Sequence, residues 1–478
     1  MKAVQQLAEL FQMSDSVIEK ILKEHQEGIE RLDKLHDYYE GNHAILSRTV
    51  QSTVLPNNQI VANHAKYIVT MLTGYFIGNP PSYNASDKTA ESAVNFTNTF
   101  YRKRHVGVHD YMLGKEASIT GLAYELIYIP QNDDPDPEYN IVLPKVAKLD
   151  PRFTILFKDI DIEQTVRGGL YFIQINDDEQ QVWVYTDSEV YVYMTDDVYE
   201  GDYELHTFEA REGETAPANP SPHVFGGAPI IRYDNNEINQ GDFEQVITLI
   251  DAYNLLQSDR LNDKEQLVDA ILLITGGKMP DGGMNQLQAD RVLSLPDEGM
   301  TAEWLVKNLD EQQVDLLLKS FKKDIHEFSF TPNLTDENFA GTTSGEAMKF
   351  KLFGTEQVLQ EKEVYFERGL RLRLKRIFHY ISKSTDEFES SLVKIGFNHA
   401  MPTNLPDPVT MVNQLRGVVS DETLLTLLDF IEDVPGEMEK IQAQKEAESE
   451  RFRSENEYPG ATRVDLDEEE ASDEEQDS

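Results

Sequence analysis

Two histidines have the spacing that a metal ion could use on one face of a helix. His105 and His109 lie four residues apart, about one helical turn, and paired imidazoles on a helix can share a zinc ion. Gly107 lies between them, however, and no third ligand is evident in the sequence. We therefore predict a structural or surface role for both histidines and no metal site.

Three pairs of adjacent aspartates offer a second route to metal chemistry, because paired carboxylates hold the Mg²⁺ ions of many nucleases. The pairs are Asp133-Asp134, Asp177-Asp178 and Asp196-Asp197. All of them lie in turns that connect predicted strands, where solvated carboxylates are normal. A metal-dependent DNA-processing enzyme is therefore the less favoured interpretation.

Two glycine-containing runs resemble known motifs only loosely. Residues 276–279 have the sequence GGKM, which lacks both the earlier glycine and the Ser or Thr after lysine that a phosphate-binding loop requires. In residues 341–345, GTTSG, the serine comes one position too late for a nucleophile elbow. The sequence thus predicts no catalytic residue, no nucleotide and no other cofactor.

One basic cluster interrupts a strongly acidic chain. The chain has 478 residues, 86 of them acidic and 43 basic, with a formal net charge of −43. The cluster comprises Arg368, Arg371, Arg373, Lys375 and Arg376. These residues could contact DNA, but pairing with acidic residues across a subunit interface is the favoured alternative. The acidic surface that a net charge of −43 implies would repel DNA phosphates at long range, so tight wrapping of DNA is not expected.

Composition limits the remaining choices. With 40% hydrophobic residues the chain can bury a sizeable core in two to four domains. The absence of cysteine excludes disulfide scaffolds and thiolate zinc sites. The N-terminus lacks the apolar core of a signal peptide, and the most apolar stretch, residues 67–77, is too short to span a bilayer. We expect a soluble protein that is made in a cytoplasm and does not contact a membrane.

A hairpin of helices occupies the middle of the chain. Apolar residues at helical spacing predict a helix over residues 242–268, with Asp242 as its N-cap, and a second helix over residues 310–328. Between them, glycine- and proline-rich turns separate three candidate strands. These strands are residues 271–274, 292–295 and 303–306.

An acidic segment and a very long helix follow the hairpin. Residues 331–341 fit no periodic pattern, and a capping box over residues 343–346 then starts the helix. At close to forty residues this helix would be roughly 60 Å long, with Gly354 and Gly369 as expected sites of a bend. A helix of this length rarely closes a compact monomer and more often spans an assembly.

The flanking regions complete an α+β fold. Four helices are predicted over residues 1–39, 63–78, 91–105 and 110–120. From Ala123 the apolar pattern alternates, which predicts a meander of strands up to residue 208. Another strand over residues 392–397, short amphipathic helices and an almost purely acidic tail from Val464 end the chain.

Five ordered blocks of residues between about Asn63 and Glu439 resemble the portal (head–tail connector) family of tailed bacteriophages, of the siphophage type common in Gram-positive hosts. The first two blocks are Asn63, Lys66, Ile68, Val69, Gly74-Tyr75-Phe76, Gly78 and Pro80, then Gly121, Ala123-Tyr124-Glu125, Tyr128 and Asp150-Pro151-Arg152. The third comprises Gly227, Pro229-Ile230-Ile231, Asn235-Asn236, Ile250-Asp251-Ala252-Tyr253-Asn254 and Ser258-Asp259. The last two are Ser344-Gly345-Glu346-Ala347 with Lys349 and Lys351, and Ser420-Asp421-Glu422-Thr423 with Asp433, Glu437 and Glu439. No single block is decisive, but their order is specific.

The resemblance implies a portal fold with a mixed α/β wing, a two-helix stem, a small α/β clip insert, a long spine helix and an α-helical crown. The implied segments are the N-terminal helices and β-rich wing (1–240), a stem helix (241–269), the clip (270–308), a second stem helix (309–330), the tunnel loop (331–343), the long wing helix and strand (344–400), the crown (401–454) and a disordered acidic tail (455–478).

Two contact sites are implied as well. The tunnel loop would narrow a DNA channel, and its candidate residues are Pro332, Asn333, Leu334, Thr335, Asp336, Glu337, Asn338 and Phe339. Phe339 could touch the DNA groove or simply anchor the loop base, and both alternatives stay open. The clip would dock other proteins, and its candidate residues are Met279, Pro280, Asp281, Met284, Gln286, Asp297 and Trp304.

The function implied is that of a non-enzymatic ring, usually of twelve subunits, at the unique capsid vertex of the virion. Double-stranded DNA would pass through it without sequence specificity during packaging and ejection. The implied partners are the terminase large subunit, a head-completion or adaptor protein, scaffold and major capsid protein, met in the host cytoplasm during assembly. The alternative is a minor head protein that never encircles DNA.

Overall fold

The structure is a computed structural model. It describes residues 2–50, 55–86, 88–130, 133–209, 216–268, 271–276, 299–305, 311–334, 345–382, 388–399, 408–426, 436–438 and 440–447. The chain forms two compact units, Met1–Met401 and Pro402–Ser478. The second unit contains helices α9 (Pro408–Leu415) and α10 (Asp421–Thr426) and further helical residues at 436–438 and 440–447.

Five helices form the N-terminal part of the first unit. They are α1 (Ala3–Phe11), α2 (Asp15–Glu40), α3 (His64–Ile77), α4 (Glu91–Arg104) and α5 (Val106–Thr120). The Asn63 side chain caps α3 by accepting a hydrogen bond from the backbone N–H of Lys66 at 2.8 Å. Gly121, at φ 91°, ends α5 in the left-handed conformation that favours glycine.

Thirteen strands within the described residues make four antiparallel sheets. In chain order they are β1 (Ser82–Ala85), β2 (Leu122–Tyr128), β3 (Lys145–Leu149), β4 (Thr154–Lys158), β5 (Val166–Asn176), β6 (Glu179–Tyr185), β7 (Glu189–Thr195), β8 (Glu204–Leu205), β9 (Ser221–Pro222), β10 (Ile230–Asp234), β11 (Ile271–Thr275), β12 (Thr301–Leu305) and β13 (Val393–Gly396). The sheets have the orders β10-β2-β3, β4-β5-β6-β7-β8 with β9 beside β7, β1-β13 and β11-β12.

Three long helices dominate the second half of the first unit: α6 (Ile247–Val268), α7 (Glu311–Phe328) and α8 (Gly345–Ile381). The predicted strands at 271–274 and 303–306 correspond to β11 and β12, whereas residues 292–295 lie outside the described residues. The prediction that Asp242 caps α6 is wrong. The helix starts at Ile247, and the Asp242 carboxylate instead binds Asn235 and Lys362.

The three-stranded sheet divides the core into two layers. On one face of β2, Ala123 and Ile127 belong to a cluster with α8 residues such as Phe366. On the other face, Tyr124 and Leu126 pack with residues of the β4–β8 sheet. Strand alternation produces this division, because successive side chains point to opposite faces. A third cluster joins α2 and α3 to the α6–α7 hairpin.

Candidate functional site

Helices α6 and α7 form an antiparallel hairpin that is held at both ends. Where α6 ends and α7 begins, Arg260 Nε donates to Glu311 Oε1 at 2.8 Å, and Lys264 Nζ lies 3.2 Å from the same carboxylate oxygen. At the other end, the Gln245 side chain donates to the Phe328 carbonyl. Strands β11 and β12, which lie between the two helices in the chain, pair with each other in antiparallel register. Side-chain contacts therefore fix the two ends of the hairpin.

Several large apolar side chains of the hairpin are exposed to solvent. Leu318 and Ile325 of α7 are buried as the periodicity predicts, but Leu317 and Phe328, expected on the same face, are 45% and 56% exposed. Leu316 is 70% exposed. Several large apolar side chains that remain exposed on one helix are typical of a surface that another molecule covers.

Helix α7 ends in a tightly bonded turn that starts the acidic segment. Phe330 adopts a left-handed conformation at φ 53°, and its carbonyl accepts a hydrogen bond from the Thr355 hydroxyl of α8 at 2.6 Å. The Tyr67 hydroxyl of α3 donates to the Pro332 carbonyl at 3.0 Å, and Thr331 and Pro332 are both buried. Three helices thus hold the first residues of the segment, which we call the loop base (residues 329–332).

Two partly or fully buried histidines lie beside the loop base. The rings of His64 and His326 are 5.8 Å apart, and His326 Nδ1 donates to the Thr331 carbonyl at 3.2 Å. Burial and the neighbouring His326, Lys322 and His43 lower the pKa of His64 to about 4. Burial also lowers the pKa of His326. Both imidazoles are therefore neutral at physiological pH.

Most of the predicted loop and clip residues lie outside the described part of the chain. Asn333 is half-buried and Leu334 is exposed just after the loop base. The remaining loop residues outside it are Thr335, Asp336, Glu337, Asn338 and Phe339. The clip residues outside it are Met279, Pro280, Asp281, Met284, Gln286 and Asp297. Trp304 lies in β12 opposite Leu272.

The five residues of the predicted basic cluster do not all lie on the surface. Arg368 and Lys375 are exposed on α8, while Arg371 pairs with Glu367 one turn earlier and Arg376 donates to the Gly226 carbonyl. Arg373 is fully buried. The prediction of an inter-subunit or DNA contact is therefore wrong for Arg373, because its charge is used inside the subunit.

Arg373 sits in a buried ionic network. Its guanidinium lies 2.6 Å from Asp110 of α5 and contacts Glu125 of β2 through two N···O distances of 2.9 Å. Tyr233 and His109 donate to the Glu125 carboxylate at 2.6 and 2.8 Å. Burial alone would raise the pKa of Glu125, but Arg373 and His109 outweigh it and lower that pKa to about 2. The network links α8 to the sheet and to α5.

This network agrees with the structural role predicted for His109, while His105 is exposed at the start of α5. Among the residues that the structure describes, no three histidine or carboxylate side chains cluster as a metal site would require. Of the aspartate pairs, Asp133 forms ion pairs with Arg104 and Lys145 at 2.8 and 2.9 Å. These contacts stabilise a turn.

A second buried ion pair connects α8 to the start of the hairpin. Lys362 Nζ donates to Asp242 Oδ2 at 2.6 Å and to the Ser118 hydroxyl at 2.7 Å. Both charged side chains are only 3% exposed. Sequence reasoning missed this pair and the Arg373 network, although each cation occurs at a core position of the helical apolar pattern, where a charge needs a partner.

Comparison with known proteins shows the family to which this chain belongs. The model of the family described as "Phage portal protein, SPP1 Gp6-like" matches residues 18–451. This chain belongs to the phage portal protein family. A portal protein of Bacillus phage SPP1 is 23% identical over 485 aligned positions, which cover 92% of this chain and 88% of that protein. A portal protein of Clostridium phage phiCD119 is 21% identical over 235 positions, 47% of this chain and 51% of that protein.

Family membership confirms two predictions made from the residues. The resemblance seen in the ordered blocks is correct, and the protein has the mixed α+β fold of a portal protein. Its function is that of a phage portal protein. In the described ranges, every helix is too short or too polar to cross a bilayer.

Proposed function

We propose that this portal protein forms a closed homo-oligomeric ring, with twelve subunits as the expected number, at the unique vertex of the capsid. Double-stranded DNA passes through the ring during packaging and ejection. The protein has no enzymatic activity of its own, so the terminase large subunit, docked on the ring, supplies the motor. Scaffold and major capsid protein surround the ring during assembly in the host cytoplasm, and a head-completion protein replaces the motor in the virion.

The observation that carries this proposal is family membership over residues 18–451. The exposed apolar side chains of the hairpin support the ring. Leu316, Leu317 and Phe328 lie on α7, while Leu255 and Leu261 of α6 are also more than a third exposed. A ring of identical subunits would cover such residues at every interface, because each hairpin would lie beside the next.

Charge supports the role of a conduit. A net charge of −43 per subunit becomes several hundred negative charges in a ring, which repel the DNA backbone. Tight cationic contacts to phosphate would slow translocation, since each one adds affinity that must be broken. Exposed Arg368 and Lys375 remain candidates for pairing with an acidic neighbour subunit or for DNA contact.

The portal regions can be assigned to elements of the fold. We assign the stem to α6 and α7, the clip to β11, β12 and the intervening residues, the wing to the elements before α6 together with α8 and β13, and the crown to residues 401–454. The clip candidates, Trp304 among them, would dock terminase and head-completion protein. The tunnel loop would continue from the loop base into the channel.

The loop base supports a channel role for the residues that follow it. Hydrogen bonds from Tyr67 and Thr355 hold both Pro332 and Phe330. The following residues, 333–343, include Asp336 and Glu337, whose carboxylates would favour sliding over binding. A fixed base lets a short segment act at a constant position along the channel.

A minor head protein that does not encircle DNA is the competing function. The hairpin with its strand insert argues against it, because a protein that only lines the head has no use for a protruding docking element. A metal-dependent nuclease is a further alternative, which incubation of the protein with linear DNA and Mg²⁺ would test. DNA cleavage above that of a mock purification would contradict the non-enzymatic role.

The direct test combines ring formation with packaging. Native mass spectrometry and top-view electron micrographs of the purified protein should show a closed ring with a central hole. Deletion of residues 335–339 should leave that ring intact but reduce the nuclease-protected DNA in capsids. Thr355→Val, which removes the hydroxyl that bonds the Phe330 carbonyl, should reduce packaging less than the deletion, because it loosens the loop base without shortening the loop. Normal packaging by the deletion would exclude the channel role of the loop. A monomer that persists with the capsid partners present would exclude the ring.

A further inference from the structure

A groove of about 580 Å³ opens between the end of α3, helix α4 and the start of α5. Its lining includes Pro80, Tyr83, Tyr101 and Val108, with Arg102 and His105 at the mouth. Arg102, His105 and Val108 are all exposed. Within the described residues, Arg102 makes no ion pair, unlike its neighbours Lys103 and Arg104. The groove is therefore mainly apolar with a basic rim.

A hairpin loop elsewhere in the chain has the complementary character. The β4–β5 loop, residues 159–165, has the sequence DIDIEQT. Ile160 is 72% exposed and Ile162 is fully exposed. Glu163 lies next to them, also exposed. Two isoleucines kept in water at a loop tip among acidic residues are unusual, because their burial would be favourable.

Local bonds hold this loop in one conformation. The Asp159 N–H donates to the Thr165 carbonyl at 3.0 Å, and Arg167 Nε donates to the Asp159 carboxylate at 2.7 Å. The Gln164 N–H donates to Asp161 Oδ1 at 2.7 Å. A preordered loop loses little conformational entropy when it docks.

The groove and the loop lie on opposite sides of the three-stranded sheet. Asp110 of the groove lining binds Arg373, which contacts Glu125 on one face of β2. Strands β4 and β5 pack against the other face, where Tyr124 and Leu126 point. The loop is a closed hairpin, and none of its residues, 159–165, lines the groove of its own chain. A contact between the two must join separate copies, and such a head-to-tail contact repeats into a ring or a filament.

We propose that the β4–β5 loop of one subunit docks into the α3–α4–α5 groove of the next subunit. Ile160 and Ile162 fill the apolar groove, and the acidic loop residues meet Arg102 and His105 at its rim. The inference rests on the proposed ring and names one contact that would build it.

The absence of cysteine from the chain allows a direct test. In the variant that combines Ile162→Cys with Val108→Cys, oxidation or a short bismaleimide linker should convert assembled rings into a ladder of covalent oligomers. When Ile162→Cys subunits are mixed with Val108→Cys subunits before assembly, only covalent dimers should form. The matched control combines Ile238→Cys with Val108→Cys, because Ile238 is 72% exposed, like Ile160, but lies outside the loop. This control should stay monomeric in denaturing gels.

The outcomes separate this contact from the ring itself. Rings by native mass with no ladder, or equal ladders in variant and control, would overturn the contact and leave the ring in place. Wild-type protein that forms no ring with its capsid partners would overturn both. A second comparison uses Ile160→Lys and Ile238→Lys, which place a cation at equally exposed positions. Only Ile160→Lys should reduce the ring fraction, because it brings a cation to Arg102, and equal ring fractions would contradict the docking.

Discussion

Replacing Arg373 by methionine should destabilise the subunit strongly. The substitution keeps most of the side-chain volume but leaves Asp110 and Glu125 buried without their cation. Removing one partner of a buried ion pair costs about 3–5 kcal/mol. The lowered pKa of Glu125, about 2 against 4.5, gives a similar figure, about 3 kcal/mol at neutral pH.

The pH dependence gives this prediction a distinctive sign. Because the folded pKa of Glu125 is lowered, its stabilisation is complete above about pH 4.5 and is lost as the pH falls toward 2. In the variant, burial without Arg373 would raise the pKa of Glu125 and would raise further that of Asp110, which burial already raises in the wild type, so ionisation of both groups at neutral pH would cost stability. The difference between wild type and variant should therefore be largest near pH 7 and shrink toward pH 4.

Urea unfolding followed by circular dichroism, at several pH values and on unassembled subunits, measures this difference. Arg368→Met is the matched control, because Arg368 is exposed on the same helix. Its unfolding free energy should change by no more than about 0.5 kcal/mol. Equal shifts of the unfolding midpoint in the two variants would refute the buried network as described. A loss of unfolding free energy in Arg373→Met that does not depend on pH would refute it as well.

Two further predictions use the same assay. Gly369→Ala should lower the free energy of unfolding by about 1–3 kcal/mol, because a Cβ there would lie 2.4 Å from the ring of buried Tyr233. Gly354→Ala, whose Cβ would lie 3.3 Å from the Phe330 ring, should be neutral or gain up to about 1 kcal/mol from helix propensity. Equal effects of the two substitutions would contradict this packing. His64 has a lowered pKa of about 4, so its neutral form stabilises the fold fully above pH 6.5 and wild-type stability should fall between pH 6.5 and 4. His64→Gln should flatten that part of the pH profile, and an unchanged profile would exclude His64 as its source.

The amino-acid pattern was sufficient to predict the elements of this fold because the elements repeat a periodic signal. The α6–α7 hairpin, strands β11 and β12, and the 37-residue helix α8 follow from apolar spacing and from breaks at glycine and proline. Helix α5 ends where Gly121 permits a left-handed residue. Such signals are local, so they survive without knowledge of the tertiary contacts.

Charge pairing could not be predicted in the same way, since a carboxylate has the same sequence signature whether it caps a helix or binds a buried cation. Asp242 illustrates this, because its position before a helical pattern predicts a cap while its partner Lys362 lies 120 residues away. The prediction for Arg373 failed for a related reason. Its five cations are adjacent in sequence, but helix geometry turns Arg373 into the core and leaves Arg368 and Lys375 outside.

The buried ionic contacts of Lys362 and Arg373 connect the long helix α8 to separate parts of the first unit. Lys362 ties α8 to the segment before α6, and Arg373 ties it to the β2 strand and α5. Thr355, two turns before Lys362, binds the loop base. Each of these cations needs a correctly oriented ionic partner. This requirement fixes the rotation and register of the helix more strictly than apolar packing alone. A displacement of α5 and β2, which carry Asp110 and Glu125, would therefore move α8 and, through Thr355, the loop base.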